Sequence, residues 1–270
     1  MSVSDTSTNT ASAVDASRGP DLPGQRRSDS AQARAADAHQ ALTEAWAVLH
    51  RVVAELPEPA FRAPSRLPGW SKAHVVTHLA RNADALVNLM TWARTGIEHP
   101  AYASRADRDA DIAAGAERLA QVIREDLYAA CDRFHTAFHR LSDAEWSATV
   151  THPSGLQLVA AELPELALFE AWHHLVDLDA GVEFGDLPAA QLDRLLDIAV
   201  RPVRLRADGE PLRVVAQLPD GRQRTWELAI ATQSSSAEVS GPAAAVLGWL
   251  TRRSDGSGLT GTPPELSAWA

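Results

Sequence analysis

Between Ser71 and Gly96 the chain is apolar on several sides of a helix, yet it keeps one polar stripe, His74, His78 and Asn82, at four-residue intervals. A helix of this kind must be buried, so other helices have to surround it. Three further stretches carry the helical period. Ala31 to Leu56 repeats Ala38, Leu42, Ala45, Leu49, Val52 and Val53 and is ended by Pro57 and Pro59. Asp107 to about Leu141 is long, with a break expected near Gly115, and Val159 to Leu178 follows, with Pro164 tolerable only in its first turn. Ser71 is placed to cap the buried helix and Gly96 to end it. Four antiparallel helices are the economical arrangement.

After Gly185-Asp-Leu-Pro188 the pattern changes. Ala189 to Leu205 reads as a helix, Leu212 to Leu218 and Gln223 to Ile230 as a hairpin about Pro219-Asp-Gly221, and Pro242 to Arg252 as a final helix. The expected fold class is therefore α+β, with a helical bundle over residues 31–185 followed by a small α+β domain over residues 186–270. Residues 1–30 are rich in small and polar side chains, lack the apolar core of a signal peptide, and read as a disordered tail.

Composition excludes several function classes. A net charge of -10 and the absence of basic runs argue against nucleic acid or anionic membrane as partners. No stretch is long and apolar enough to span a bilayer. The single cysteine, Cys131, rules out an intrachain disulfide and fits a reducing, cytoplasmic setting. There is no Walker loop, Cys-x-x-Cys pair or Gly-x-Ser-x-Gly elbow, so nucleotide chemistry is not expected.

The chemistry concentrates on two of the helices. Glu170 and His174, four residues apart, share a face with Asp177, and bundling brings His78 of the Ser71 helix opposite them. Two imidazoles and a carboxylate are the ligand set of a catalytic zinc that keeps a fourth position open, whereas structural zinc is normally closed by four ligands rich in cysteine. Hydrogen bonding across the bundle would account for the same residues. His173 points about a hundred degrees away from His174 and is read as structural or exposed. His135 and His139 repeat the four-residue spacing beside Asp132, Arg133 and Arg140 and are read as a solvated face, and Cys131 as a buried, inert thiol.

The run Leu67-Pro-Gly-Trp-Ser-Lys-Ala-His-Val-Val-Thr-His-Leu-Ala-Arg-Asn82, continued by Ala85-Leu-Val-Asn-Leu-Met-Thr-Trp-Ala-Arg-Thr-Gly96, resembles the mycothiol-dependent maleylpyruvate isomerases of actinobacteria. The likeness extends through Tyr102, Arg108-Asp-Ala-Asp-Ile112, Glu170 to Leu178, Phe184-Gly-Asp-Leu-Pro188 and Arg252-Arg-Ser-Asp-Gly256. It implies a DinB-like four-helix bundle holding zinc on His78, Glu170 and His174, with a small α+β domain closing over the site. It places a functional arginine on Arg252, with Arg253 one register away, and makes Asn82 a contact for the thiol cofactor or substrate. His74 and Asp177 are expected behind the ligands, where metal-bound imidazoles find acceptors. One departure stands out: relatives often carry arginines where this chain has Ala167 and Phe169.

The implied reaction is thiol-assisted isomerisation. Mycothiol, activated by zinc, adds to the double bond of maleylpyruvate, the bond becomes single and rotates, and the thiol leaves to give fumarylpyruvate, a step in gentisate-type aromatic catabolism. The alternatives are a mycothiol S-transferase that keeps the adduct and a non-catalytic zinc-binding regulator. The expected partners are a small-molecule substrate and a low-molecular-weight thiol, and the expected assembly is a monomer or small homo-oligomer.

Overall fold

The computed structural model describes residues 23–204, 211–228 and 237–266. Helix α1 spans Pro23–Glu55, starting ahead of Ala31, where the periodicity places it; residues 1–22 of the expected tail lie outside the described residues. Its stripe of Ala35, Ala38, Leu42, Ala45, Leu49 and Val53 is buried, as the i, i+3, i+4 spacing requires. Helix α2 is Lys72–Thr95, with Ser71 as N-cap and Gly96 taking the left-handed conformation (φ 69°) that stops the helix.

The long stretch after residue 104 breaks as expected, into α3 (Arg105–Ala116) and α4 (Ala120–Phe138). Arg62 secures the break, its guanidinium donating to the carbonyls of Ala116, Glu117 and Arg118 at the C-terminal end of α3. A two-stranded hairpin follows, β1 (Thr149–Thr151) antiparallel to β2 (Gln157–Val159), and β2 leads through a short 3-10 turn into α5 (Leu163–Asp177). Pro164 therefore falls in the first turn of α5, where its missing N–H costs nothing. Around the bundle α1 packs on α5, α5 on α2, α2 on α4 and α4 on α1, with α3 lying against α2.

Beyond residue 188 come α6 (Ala189–Arg204), β3 (Leu212–Gln217), β4 (Gln223–Leu228), β5 (Ala237–Pro242) and α7 (Ala243–Leu250). The expected hairpin forms, pairing Leu212 with Leu228 and Gln217 with Gln223. Strand β5, unforeseen in the sequence, adds parallel to β3, giving the order β4-β3-β5. Helices α6 and α7 pack on each other and on this sheet, and one continuous apolar core runs from Leu42 in α1 to Trp249 in α7. The architecture is α+β. Among the described residues no helix is long and apolar enough to cross a membrane.

Two contacts set how the helices around the site meet. Lys72, 7% exposed, turns its ammonium onto the carbonyls of Leu178 and Asp179 and so locks the start of α2 to the end of α5. Gly115 lets α3 approach α2 closely: a Cβ there would lie 2.5 Å from Thr77 Cγ2. Gly115→Ala is expected to lose about 1–3 kcal/mol to overpacking against up to about 1 kcal/mol gained in helix propensity. In a Thr77→Ser background, which removes that methyl, the same change should become neutral or stabilising; urea denaturation of the four proteins checks the reversal.

Candidate metal centre

The Lys72 clamp places His78, two turns into α2, against the last two turns of α5. His78 Nε2 lies 2.9 Å from Glu170 Oε2 and 3.0 Å from His174 Nε2, and His174 Nε2 lies 3.2 Å from the same carboxylate oxygen. The three residues picked out by spacing thus converge. Their donor atoms are separated by close to the edge of a tetrahedron around zinc, about 3.3 Å for bonds of about 2.0–2.1 Å. Two neutral nitrogens and one carboxylate oxygen suit a borderline divalent ion. Without one, the three groups satisfy each other as hydrogen-bond partners.

Behind the ligands stands Asp177, whose side chain is fully buried. Its Oδ2 accepts from His174 Nδ1 at 2.9 Å, which orients the ring so that Nε2 faces His78 and Glu170. The same carboxylate accepts from Arg253, at 3.2 Å from Nε and 2.7 Å from Nη2. Burial opposes ionisation of Asp177, but His174 and Arg253 overcome it and hold the carboxyl down at about 2. Burial likewise opposes a charged His174, and Asp177 and Glu170 hold it up at about 9. Glu170 resists burial in the same way, its bonds to His174 and His78 keeping it well below the usual carboxylate range. Burial, with the His174 charge, pushes His78 down.

Other expected positions fall differently. His74 is not behind the ligands: its Nδ1 takes the Ser71 hydroxyl at 2.7 Å and the Ser71 N–H at 3.3 Å, closing a capping box at the start of α2. Arg252 is exposed, in left-handed backbone (φ 62°), and lines a separate cavity with Trp249 and Pro263. Of the adjoining pair it is Arg253 that reaches the site, through Asp177. His173 is buried against Phe169 and Phe184, its Nδ1 on the Phe169 carbonyl, and burial drives it down to about 3. Ala167 and Phe169 are buried and absent from the lining of the site cavity. Cys131 is buried, which pushes its thiol up to about 12.

A cavity of about 640 Å³, the size of a small-molecule pocket, opens above His78, Glu170 and His174. Asn82 lines it, as do Tyr102, Arg105, Arg108 and His152, for which the sequence reading assigned no role. The signal for the arginines was their i,i+3 spacing, which puts both on one face of α3. His152 reaches the cavity from the turn of the β1–β2 hairpin, an element too short to be read from periodicity. Arg108 Nη2 sits 3.3 Å from His78 Nδ1, and its guanidinium lies 5.9 Å from the centre of the Tyr102 ring.

Fold and site together define a helical-bundle protein with an open three-ligand centre beneath a cavity of small-molecule size. The chain belongs to the mycothiol maleylpyruvate isomerase family: residues 42–179, just over half its length, match the family described as "Mycothiol maleylpyruvate isomerase N-terminal domain". It is similar to a crystal structure of the mycothiol-dependent maleylpyruvate isomerase, at 27% identity and a TM-score of 0.71, over 89% of this chain and 95% of that one. A histidine-to-alanine mutant of the mycothiol-dependent maleylpyruvate isomerase aligns over the same shares at 27% identity with a TM-score of 0.70. No curated protein sequence matches the chain.

The two neighbouring arginines should separate cleanly. Arg253→Ala removes a charged donor from a buried carboxylate and is expected to cost about 1–3 kcal/mol. Arg252→Ala, at an exposed position, should stay within about 0.5 kcal/mol of the parent. Equal denaturation midpoints for the two variants would contradict this placement.

Proposed function

We propose that the protein is a mycothiol-dependent isomerase converting maleylpyruvate to fumarylpyruvate, with zinc held by His78, Glu170 and His174. The observation that carries the reading is the open cup: three ligand atoms meet at the floor of a cavity whose wall carries Arg105 and Arg108. The relatives of known structure are named for this reaction. A divalent metal bound in the cup would supply the charge that lets a thiol ionise near neutral pH.

The residues of the chain do the remaining work. The substrate is a dianion, and an acidic protein needs local cations to hold it. Arg108 now donates to His78 Nδ1. With a metal bound at Nε2, His78 would carry its proton on Nδ1 and would no longer accept from a guanidinium, which has only donors. Arg108, which lines the cavity, would then be available to a substrate carboxylate as a bidentate partner. Tyr102 Oη is buried beside the side chains of Asn82 and Arg108. It is placed to donate to the oxygen that gains charge when a thiolate adds to the conjugated double bond. The added thiolate turns that bond single, the carbon skeleton rotates, and the electron pair returns to expel the thiolate, so no oxidant, reductant or net thiol is required.

Conversion of maleylpyruvate to fumarylpyruvate by zinc-loaded protein should require mycothiol and leave its concentration unchanged; net consumption of the thiol would assign S-transfer instead. His78→Ala should lose turnover and one equivalent of metal per chain relative to the parent, measured by elemental analysis alongside the assay. Arg108→Ala is expected to lower kcat/KM by about 10- to 100-fold, chiefly through KM, as befits the loss of one charged hydrogen-bond donor.

A further inference from the structure

The seam between α1 and α4 lies across the bundle from the seam between α2 and α5, and it carries a second convergence of imidazoles. His39 of α1 faces His135 of α4 and His139, the C-cap residue that follows it, and one ligand nitrogen from each lies within 4.8 Å of the others. His39 Nε2 and His135 Nδ1 are 3.2 Å apart, again close to the edge of a zinc tetrahedron of about 3.3 Å. The pattern repeats that of the first site, an i,i+4 pair completed by a histidine from the helix packed against it, but with three imidazoles and no carboxylate.

Several features separate this cluster from a chance group of surface histidines. His39 is 7% exposed, and its ring is fixed by stacking on Phe138, with centroids 3.9 Å apart and planes 11° from parallel, and by Phe134 on the same helix. The buried third donor is therefore held in place before any ion arrives, while His135 and His139 are exposed and open to solvent. The seam is also where neighbouring helices of the bundle touch least.

We propose that His39, His135 and His139 form a second metal site, for a borderline divalent ion such as zinc, nickel or copper, which imidazole donors favour. It leaves a coordination position open to solvent and ties α1 to α4. Nothing in it depends on the reaction at the first site.

The test uses the full chain stripped of metal and then equilibrated with zinc alone. The His78→Ala variant, lacking the first site, should still take up one zinc per chain and melt at a higher temperature when it is added. His139→Ala in that background should lose both the uptake and the thermal shift, and since His139 is exposed the double variant folds like its parent. His39→Phe, which keeps the aromatic stack, should lose them as well. No uptake by His78→Ala protein would overturn the proposal, as would uptake that survives His139→Ala. Uptake that survives His39→Phe would reduce the cluster to an exposed histidine pair and overturn it equally.

Discussion

The carboxylate of Asp177 is the contact on which the candidate site rests. A buried, ionised carboxylate is expensive unless it is paired and fully hydrogen-bonded, and here it takes one donor from His174 and two from Arg253. Two consequences follow. The His174 imidazole is held in the tautomer that directs Nε2 at the other ligands, and the segment after α7 is tied to the end of α5. The backbone converges on the same point: the Arg66 N–H bonds the Asp177 carbonyl at 2.8 Å, and Lys72 takes the next two carbonyls. The C-terminal end of α5, which would otherwise leave carbonyls without donors, becomes the junction of the bundle, the loop before α2 and the C-terminal segment.

That junction explains how a modest ligand set comes to be exact in geometry. Neither α2 nor α5 alone specifies the distance from His78 to the Glu170–His174 pair. The distance is set by the clamp at the helix ends, just under two turns from His78, and by the packing of α5 on α1 and of α2 on α4. The two histidine clusters differ in what surrounds them. His78, Glu170 and His174 lie under a cavity lined by arginines, whereas His39, His135 and His139 sit at a seam with aromatic rings and open water. One position suits an anionic small molecule, the other an ion held between helices.

Much of this was legible in the sequence. The helical period marked every helix of the bundle because each must bury an apolar stripe, and Ser71, Gly96 and Pro164 marked ends through local backbone chemistry. Glu170 and His174 were visible because four residues make a turn, and the pairing with His78 followed from bundling. What escaped has physical reasons. His74 continues the polar stripe of His78 and Asn82, yet it sits at N3, where a side chain is drawn back to the cap. Strands β1 and β2 are three residues each, too short to alternate, and β5 contains Ser240 and Gly241, weak strand formers. Which of Arg252 and Arg253 meets Asp177 depends on the backbone path after α7, where Arg252 takes a positive φ that adjacency in sequence does not reveal.

Gly115 has no side chain and no chemistry, yet it governs the reach of those that do. It presses α3 onto α2 at Thr77, and Arg108 lies seven residues away on α3, about 10 Å along the axis at 1.5 Å per residue. A bulkier residue at Gly115 would push this end of the helix off α2, and a rigid α3 would carry the displacement to Arg105 and Arg108, which line the cavity. Variation there would tune which molecules enter without altering a single residue that meets them.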